Sequence, residues 1–329
     1  MPKKKTSDKT ASNRKNIKAE QPELDLDHLI APDSQLEIKL AWKQVQPVYE
    51  QVLKQETKKL KLKGFRQGKA PPAVAEKELG TDKIANLVLQ KLLPAAYSEA
   101  IKAGEHKPLT HPEFQPISIN KDNDWVLKVF FAEEPTIELK GYKKSSKKAK
   151  KEAQAELEKA IKEQEKDKKK TDKKKGKKEE KEQPPEMTEQ QKKDAVVQKI
   201  LAALVAELQP AIPRLLIKEA AEREMNSFVK RLESMKIELE TFLKARQMTQ
   251  EQLSSSIMMS SIQQLQVEFV LRAIAKKEGL EVEDSEVKET IKKTEDEKMR
   301  KQMEKDENYQ AYLKQMLLKQ KTIEYILDL

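Results

Sequence analysis

Between residues 36 and 42 apolar and polar positions alternate: Leu36, Ile38 and Leu40 are separated by Glu37, Lys39 and Ala41. A period of two predicts a half-buried strand, here ending near Trp42. The period then lengthens. Val45, Val48, Tyr49, Val52 and Leu53 recur three and four residues apart, which predicts a helix to about Leu60. Pro72 to Leu79 reads as a short helix that opens on proline and stops at Gly80. A longer helical pattern carries Ile84, Leu87, Val88, Leu92 and Ala95 to about Ile101, and Gly104 closes it. Ile117 and Ile119 predict one strand and Trp125 to Phe131 another, with Asp122, Asn123 and Asp124 as the turn between them. Strands and helices in this order imply an α+β domain with a small antiparallel sheet.

After Gly141 and Tyr142 the pattern collapses into lysine and glutamate. No aromatic residue occurs between Tyr142 and Phe228, so this stretch is expected to bury no core. Glu152 to Glu165 suits a solvated helix with pairs such as Glu158 and Lys162. The rest reads as a charged, extended linker. Helical periodicity returns at Asp194. Val197, Leu201, Leu204 and Leu208 form one stripe. A second runs through Leu216, Ile217, Ala220, Met225, Phe228 and Leu232. Thr249 and Gln252 form a capping box ahead of a long helix that ends at Gly279, and further helices run from Ser285 and from Tyr309 to Leu327.

The expected organisation is therefore an elongated, multidomain chain. Residues 1–33 form a disordered basic tail and residues 34–142 the α+β N-terminal domain. Residues 143–193 form a Lys/Glu-rich linker, disordered or partly helical, and residues 194–329 an all-α C-terminal domain.

Composition narrows the chemistry. The 329 residues carry a net charge of +10, and charged residues reach 37%. There are no cysteines, so disulfides and thiolate metal sites are excluded. His28, His106 and His111 are too scattered for a metal cluster. No apolar run approaches the roughly 20 residues that span a bilayer. The N-terminus, basic but without an apolar segment behind it, does not read as a secretory signal, so a cytoplasmic location is expected. No catalytic constellation stands out, and no phosphate-cradling glycine loop implies ATP or another cofactor.

The residues with most to say are Gly64-Phe65-Arg66-Gln67-Gly68-Lys69-Ala70-Pro71-Pro72, between two helical patterns. Two glycines permit the turn. Arg66 and Lys69 suit phosphate or carboxylate groups, and Phe65 can stack or enter a small apolar pocket. By itself such a loop also reads as an ordinary helix connection with solvated cations. Its sequence resembles the G-F-R-x-G-K-x-P signature of the trigger factor family. Glu134 to Tyr142 is similar to the strand by which that family leaves its N-terminal domain. Ile212 to Ile217 and Leu271 to Val282 resemble segments of its C-terminal domain. The resemblance spans roughly residues 34–142 and 194–329. It departs from the family where a prolyl-isomerase domain usually sits, since residues 143–193 hold no aromatic residue to line a proline pocket.

The resemblance implies an ATP-independent chaperone that docks on the large ribosomal subunit, on protein and rRNA near the exit tunnel, and holds unfolded nascent polypeptides. Gly64, Phe65, Arg66, Gly68, Lys69 and Pro71 are then the ribosome-binding residues, and no isomerase activity is expected. Met225, Met235, Met248, Met258, Met259, Met299, Met303 and Met316 all lie in the C-terminal region. Methionine suits surfaces that accept varied apolar partners, although core filling in thin helical arms is the plainer reading of any one of them. Met225, Phe228, Met258, Met259, Ile262 and Met316 are the candidate client contacts. Homodimerisation off the ribosome stays open. The rival readings are a ribosome- or RNA-binding factor without chaperone activity, and a prolyl isomerase.

Overall fold

The structure, a computed structural model, describes residues 27–172 and 187–329. The expectations for residues 1–26 and 173–186 lie outside the described residues. The chain enters through a short 3-10 turn and β1 (Ile30–Ala31), then β2 (Ser34–Leu40), α1 (Trp42–Lys59), α2 (Pro72–Leu79), α3 (Thr81–Ala103), β3 (Glu113–Ser118) and β4 (Trp125–Phe131). β4 is the middle strand of a three-stranded antiparallel sheet, with β2 and β3 on either side. Its alternation is strict: Trp125, Leu127, Val129 and Phe131 are buried and the residues between them are not. Val45 and Val52 of α1, and Ile84 and Val88 of α3, close over that face. Trp42, Tyr49 and Trp125 stack at its end with centroids 5.9–6.5 Å apart.

The α+β head thus follows the expected order, with one difference. Ile117 lies 56% exposed, because the β3–β4 register slips between Pro116 and Ser118. Pro116 has no N–H to give the ladder, and an edge strand tolerates such an irregularity. Phe114, not Ile117, packs inward.

The remainder is helical: α4 (Tyr142–Asp172), α5 (Glu189–Leu208), α6 (Arg214–Ser234), α7 (Leu239–Arg246), α8 (Gln250–Glu278), α9 (Asp284–Lys292), α10 (Glu297–Met303) and α11 (Glu307–Asp328). A two-residue strand, β5 (Ile212–Pro213), pairs in parallel with β1, so the region is not purely α. α8 is the spine. It opens with the expected Thr249–Gln252 capping box, ends on Gly279 at φ +65°, and buries Leu265, Phe269, Val270 and Ile274.

Four expectations need correction. The N-terminal tail does not run to residue 33, because Asp27 to Asp33 is built into the fold. Leu29 and Ile30 pack beside Ile212 and Leu216, and buried Asp33 accepts the Leu215 N–H at 2.8 Å and pairs with Arg214 at 3.2 Å. Asp33 thereby caps α6, whose own Pro213 offers no side-chain cap. Residues 134–140 form no strand. The helix expected from Glu152 starts at Tyr142 and is not fully solvated: Tyr142, Ser146, Ala149 and Ala153 are buried, and Tyr142, Ala149 and Ala153 share a core with Val196, Ile200 and Leu204 of α5. Its stripe is made of small side chains, which composition alone hides under lysine. Finally, α5 starts at Glu189 behind a Thr188–Gln191 capping box and buries Val196, Ile200 and Leu204, while Val197 and Leu201 lie half-buried beside Ile323 and Leu327 of α11. With apolar neighbours on more than one side, a helix has no sharply defined apolar stripe.

Glu278, at the end of α8, ties three helices together. It accepts the hydroxyls of Tyr142 and Tyr325, each at 2.5 Å, and pairs with Lys143 at 2.9 Å. The tyrosine hydrogen bonds, followed by that of Lys143, hold its carboxyl down at about 2.

Candidate docking loop and client surface

The loop between α1 and α2 is two consecutive tight turns. Phe65 N–H donates to Leu62 O at 3.2 Å and Lys69 N–H to Arg66 O at 3.0 Å. Each turn places a glycine third, Gly64 at φ +89° and Gly68 at φ +75°, as a type II turn requires. Gly68 is constrained twice over. Its N–H reaches back to Leu60 O at 3.4 Å, and a Cβ there would sit 3.2 Å from the Lys58 Cα. Leu60 and Ala70 anchor the two flanks in the head core. Pro71 precedes α2 at φ −58°, with Pro72 in its first turn.

The platform is fixed from behind by Glu76 of α2. It accepts Tyr49 Oη at 2.7 Å and Lys121 Nζ at 2.9 Å. The tyrosine hydrogen bond is the larger cause of its lowered pKa. Burial, reinforced by Glu76, pushes the Tyr49 phenol up. Held this way, the loop presents Phe65 at 43% exposure beside exposed Arg66 and Lys69. Exposed Lys61 and Lys63 lie on the same segment; sequence reading passed over them, although they stand in the approach to the loop. Lys59 is held by Glu56 at 2.5 Å, but among the described residues no ion pair reaches Lys61, Lys63, Arg66 or Lys69. An exposed ring among uncompensated cations suits a surface of anions with small apolar recesses.

The six candidate client residues do not converge. Ile262 is fully buried beside Leu215 and Phe269, so it is a core residue and not a client contact. Its position on α8 turns it toward α6, which sequence periodicity did not distinguish from the exposed side. Its neighbour Met259 packs on the same core, while Met258 is 40% exposed. Met225 and Phe228 are half-buried along α6, with Phe228 edge-on to Phe242 of α7 at 5.2 Å. Met316 lies on α11, in a cleft of about 200 Å³ with Leu271, Tyr312 and Leu318. Leu271 is thirteen residues beyond Met258 on α8, about 20 Å at 1.5 Å per residue.

Three apolar features lie outside the six candidate client residues. Met235 and Ile237 are exposed at the α6–α7 turn, and α7 buries no residue at all. A cleft of about 730 Å³ between the head and α8 has Leu109, Pro135, Ile137, Leu139 and Ala273 in its walls. Another of about 740 Å³ lies between α3 and β3, walled by Leu93, Tyr97, Phe114 and Ile119. The two clefts draw side chains from separated segments, so no local pattern marks them. Among the described residues there is no group of acidic, histidine or cysteine side chains that could hold a metal, and no helix long and apolar enough to cross a membrane.

Fold and surface together define a two-part protein, a compact head with a cationic, phenylalanine-tipped loop and a helical body with dispersed apolar openings. The chain belongs to the trigger factor family: the model of the bacterial trigger factor protein matches residues 25–168, and that of its C-terminus matches residues 174–328. Among curated relatives, the trigger factor of Streptococcus sanguinis strain SK36 is 29% identical over 108 residues, covering 33% of this chain and 25% of that protein. That of Staphylococcus aureus strain JH9 is 32% identical over 99 residues, covering 30% and 23%. The aligned stretch thus spans a quarter or less of either relative. A solved structure of the trigger factor chaperone, described for promiscuous substrate recognition in folding and assembly, shares the fold with TM-score 0.52 at 12% identity. It covers 89% of this chain and 96% of that one.

Proposed function

We propose that this chain is an ATP-independent, ribosome-associated chaperone that docks through the Gly64–Pro71 loop and holds unfolded polypeptides against dispersed apolar surface in its helical body. The observation that carries the reading is the loop. Two glycine turns, clamped by Leu60, Ala70 and Glu76, expose Phe65, Arg66 and Lys69 without a neutralising carboxylate among the described residues. Membership of the trigger factor family supports it. Promiscuous substrate recognition, named for the structural neighbour, fits scattered openings such as those at Met235, Met258 and Met316 better than one enclosed pocket. Weak apolar contacts at several places can hold varied clients.

The division of labour proposed is docking by residues 34–142 and client holding by the helices that follow. The matched family segments leave only residues 169–173 between them, which favours a chaperone without a prolyl-isomerase domain. Co-sedimentation tests the docking. Phe65→Ala with Arg66→Glu and Lys69→Glu is expected to lower ribosome occupancy by more than tenfold while the purified protein still suppresses aggregation of a denatured model substrate. Unchanged co-sedimentation removes the loop from the account. Failure of the wild type to suppress aggregation removes the chaperone reading.

A further inference from the structure

The outer face of α4 is unaccounted for by docking or by client holding. Tyr142, Ser146, Ala149 and Ala153 occupy its buried side. Opposite them, Lys144, Lys147, Lys148 and Lys151 follow i, i+3, i+4, i+7 spacing, and all four are exposed. The row runs about 10 Å along the helix at 1.5 Å per residue. Lys148 approaches Glu152 at 3.9 Å, and among the described residues no ion pair reaches the other three. Lys276 and Lys277, exposed at the end of α8, lie next to Glu278, on which Tyr142 and Lys143 converge.

This arrangement is unfavourable for the protein alone. Like charges three and four residues apart repel, and these four sit in the first turns of α4, where the helix dipole disfavours cations. The first turn carries no acid to offset them. Further along, the same helix mixes its charges, with Glu158 and Lys162 paired at 3.5 Å. A face that served solubility alone would be mixed throughout.

The chemistry of the face selects the partner. Its apolar side is already covered by α5, so the helix has nothing to bury in a lipid surface. Lysine is depleted at protein–protein interface cores, and this row contains no aromatic or aliphatic anchor. Lysine is a hydrated point charge that meets phosphate with little demand on orientation. We propose that the Lys144–Lys151 face of α4 binds the phosphate backbone of RNA, as a surface separate from the Gly64–Pro71 loop and without base specificity. The proposal stands whether or not the loop docks on ribosomes.

Fluorescence anisotropy of the full chain with a short RNA duplex of arbitrary sequence, across a potassium chloride series, tests it. K144Q/K147Q/K148Q/K151Q is expected to weaken binding at least tenfold. It should also reduce the steepness of log K against log salt by about 3–4, since each of the four phosphates left without its lysine lowers it by somewhat less than one. The charge-matched control K288Q/K292Q/K298Q/K305Q should keep both close to wild type. Replacing the four α4 lysines by arginine should restore affinity and slope, with far-UV circular dichroism unchanged in every variant. Equal losses in the α4 variant and the control would reduce the effect to net charge and overturn the proposal. So would absence of wild-type binding at low salt, or poly-glutamate competing as well as RNA of equal charge.

Discussion

The head and the α6–α7 end of the body are built to opposite standards. In the head, Val45, Ile84, Val88, Trp125, Leu127 and Val129 are all essentially sealed from water, and the sheet and both long helices converge on them. At the α6–α7 end, α7 buries nothing, Met235 and Ile237 face solvent, and the main aromatic contact is Phe228 against Phe242. A loop that must fit one fixed surface gains from a rigid platform, because ordering costs are met in advance. A surface that must accept many partners gains from flexible side chains with few obligations to a core.

Mutation can break this contrast or sharpen it. Leu127→Ala removes a sealed side chain from the centre of the sheet and should destabilise the head by about 2–5 kcal/mol. Both tryptophans, Trp42 and Trp125, lie in the head, so fluorescence-detected denaturation reads that unit while circular dichroism reads mostly the helices. A loss of only a few tenths would mean the core relaxes freely and the head is not rigid. Asp33→Ala strips the borrowed cap from α6 and should cost about 1–2 kcal/mol, seen as a lowered circular dichroism midpoint. An unchanged midpoint would make the Asp27–Asp33 strap dispensable. Met235→Ser with Ile237→Ser should shift stability by less than about 0.5 kcal/mol, as expected of surface positions. The same pair should weaken suppression of aggregation. A large stability loss would show these side chains to be structural and erase the contrast.

Local chemistry explains which parts were legible from sequence. The β4 alternation, the Thr249–Gln252 capping box and the glycine turns at 64 and 68 each depend on residues within a few positions of one another. The exposed Gly64–Pro71 loop, the candidate for docking, stands out in the sequence for the same reason: its glycines, ring and cations are contiguous. The exposure of the candidate client residues was not legible in this way. Met258 and Met259 are adjacent, yet one faces water and the other a core, and Ile262, one turn further on, is sealed.

Sequence by itself determined the sheet-forming alternation, the helix boundaries marked by glycine, proline and capping residues, and the composition of the exposed loop, because each is a short-range preference of backbone and solvent. Tertiary structure alone decided that Ser146, Ala149 and Ala153 form a packing stripe, which side of α5 is sealed, and that Asp33 caps a helix beginning at Arg214. Those outcomes depend on which surfaces meet across long stretches of chain. Small side chains, all-round apolar helices and a distant carboxylate leave no periodic mark that would reveal the meeting in advance.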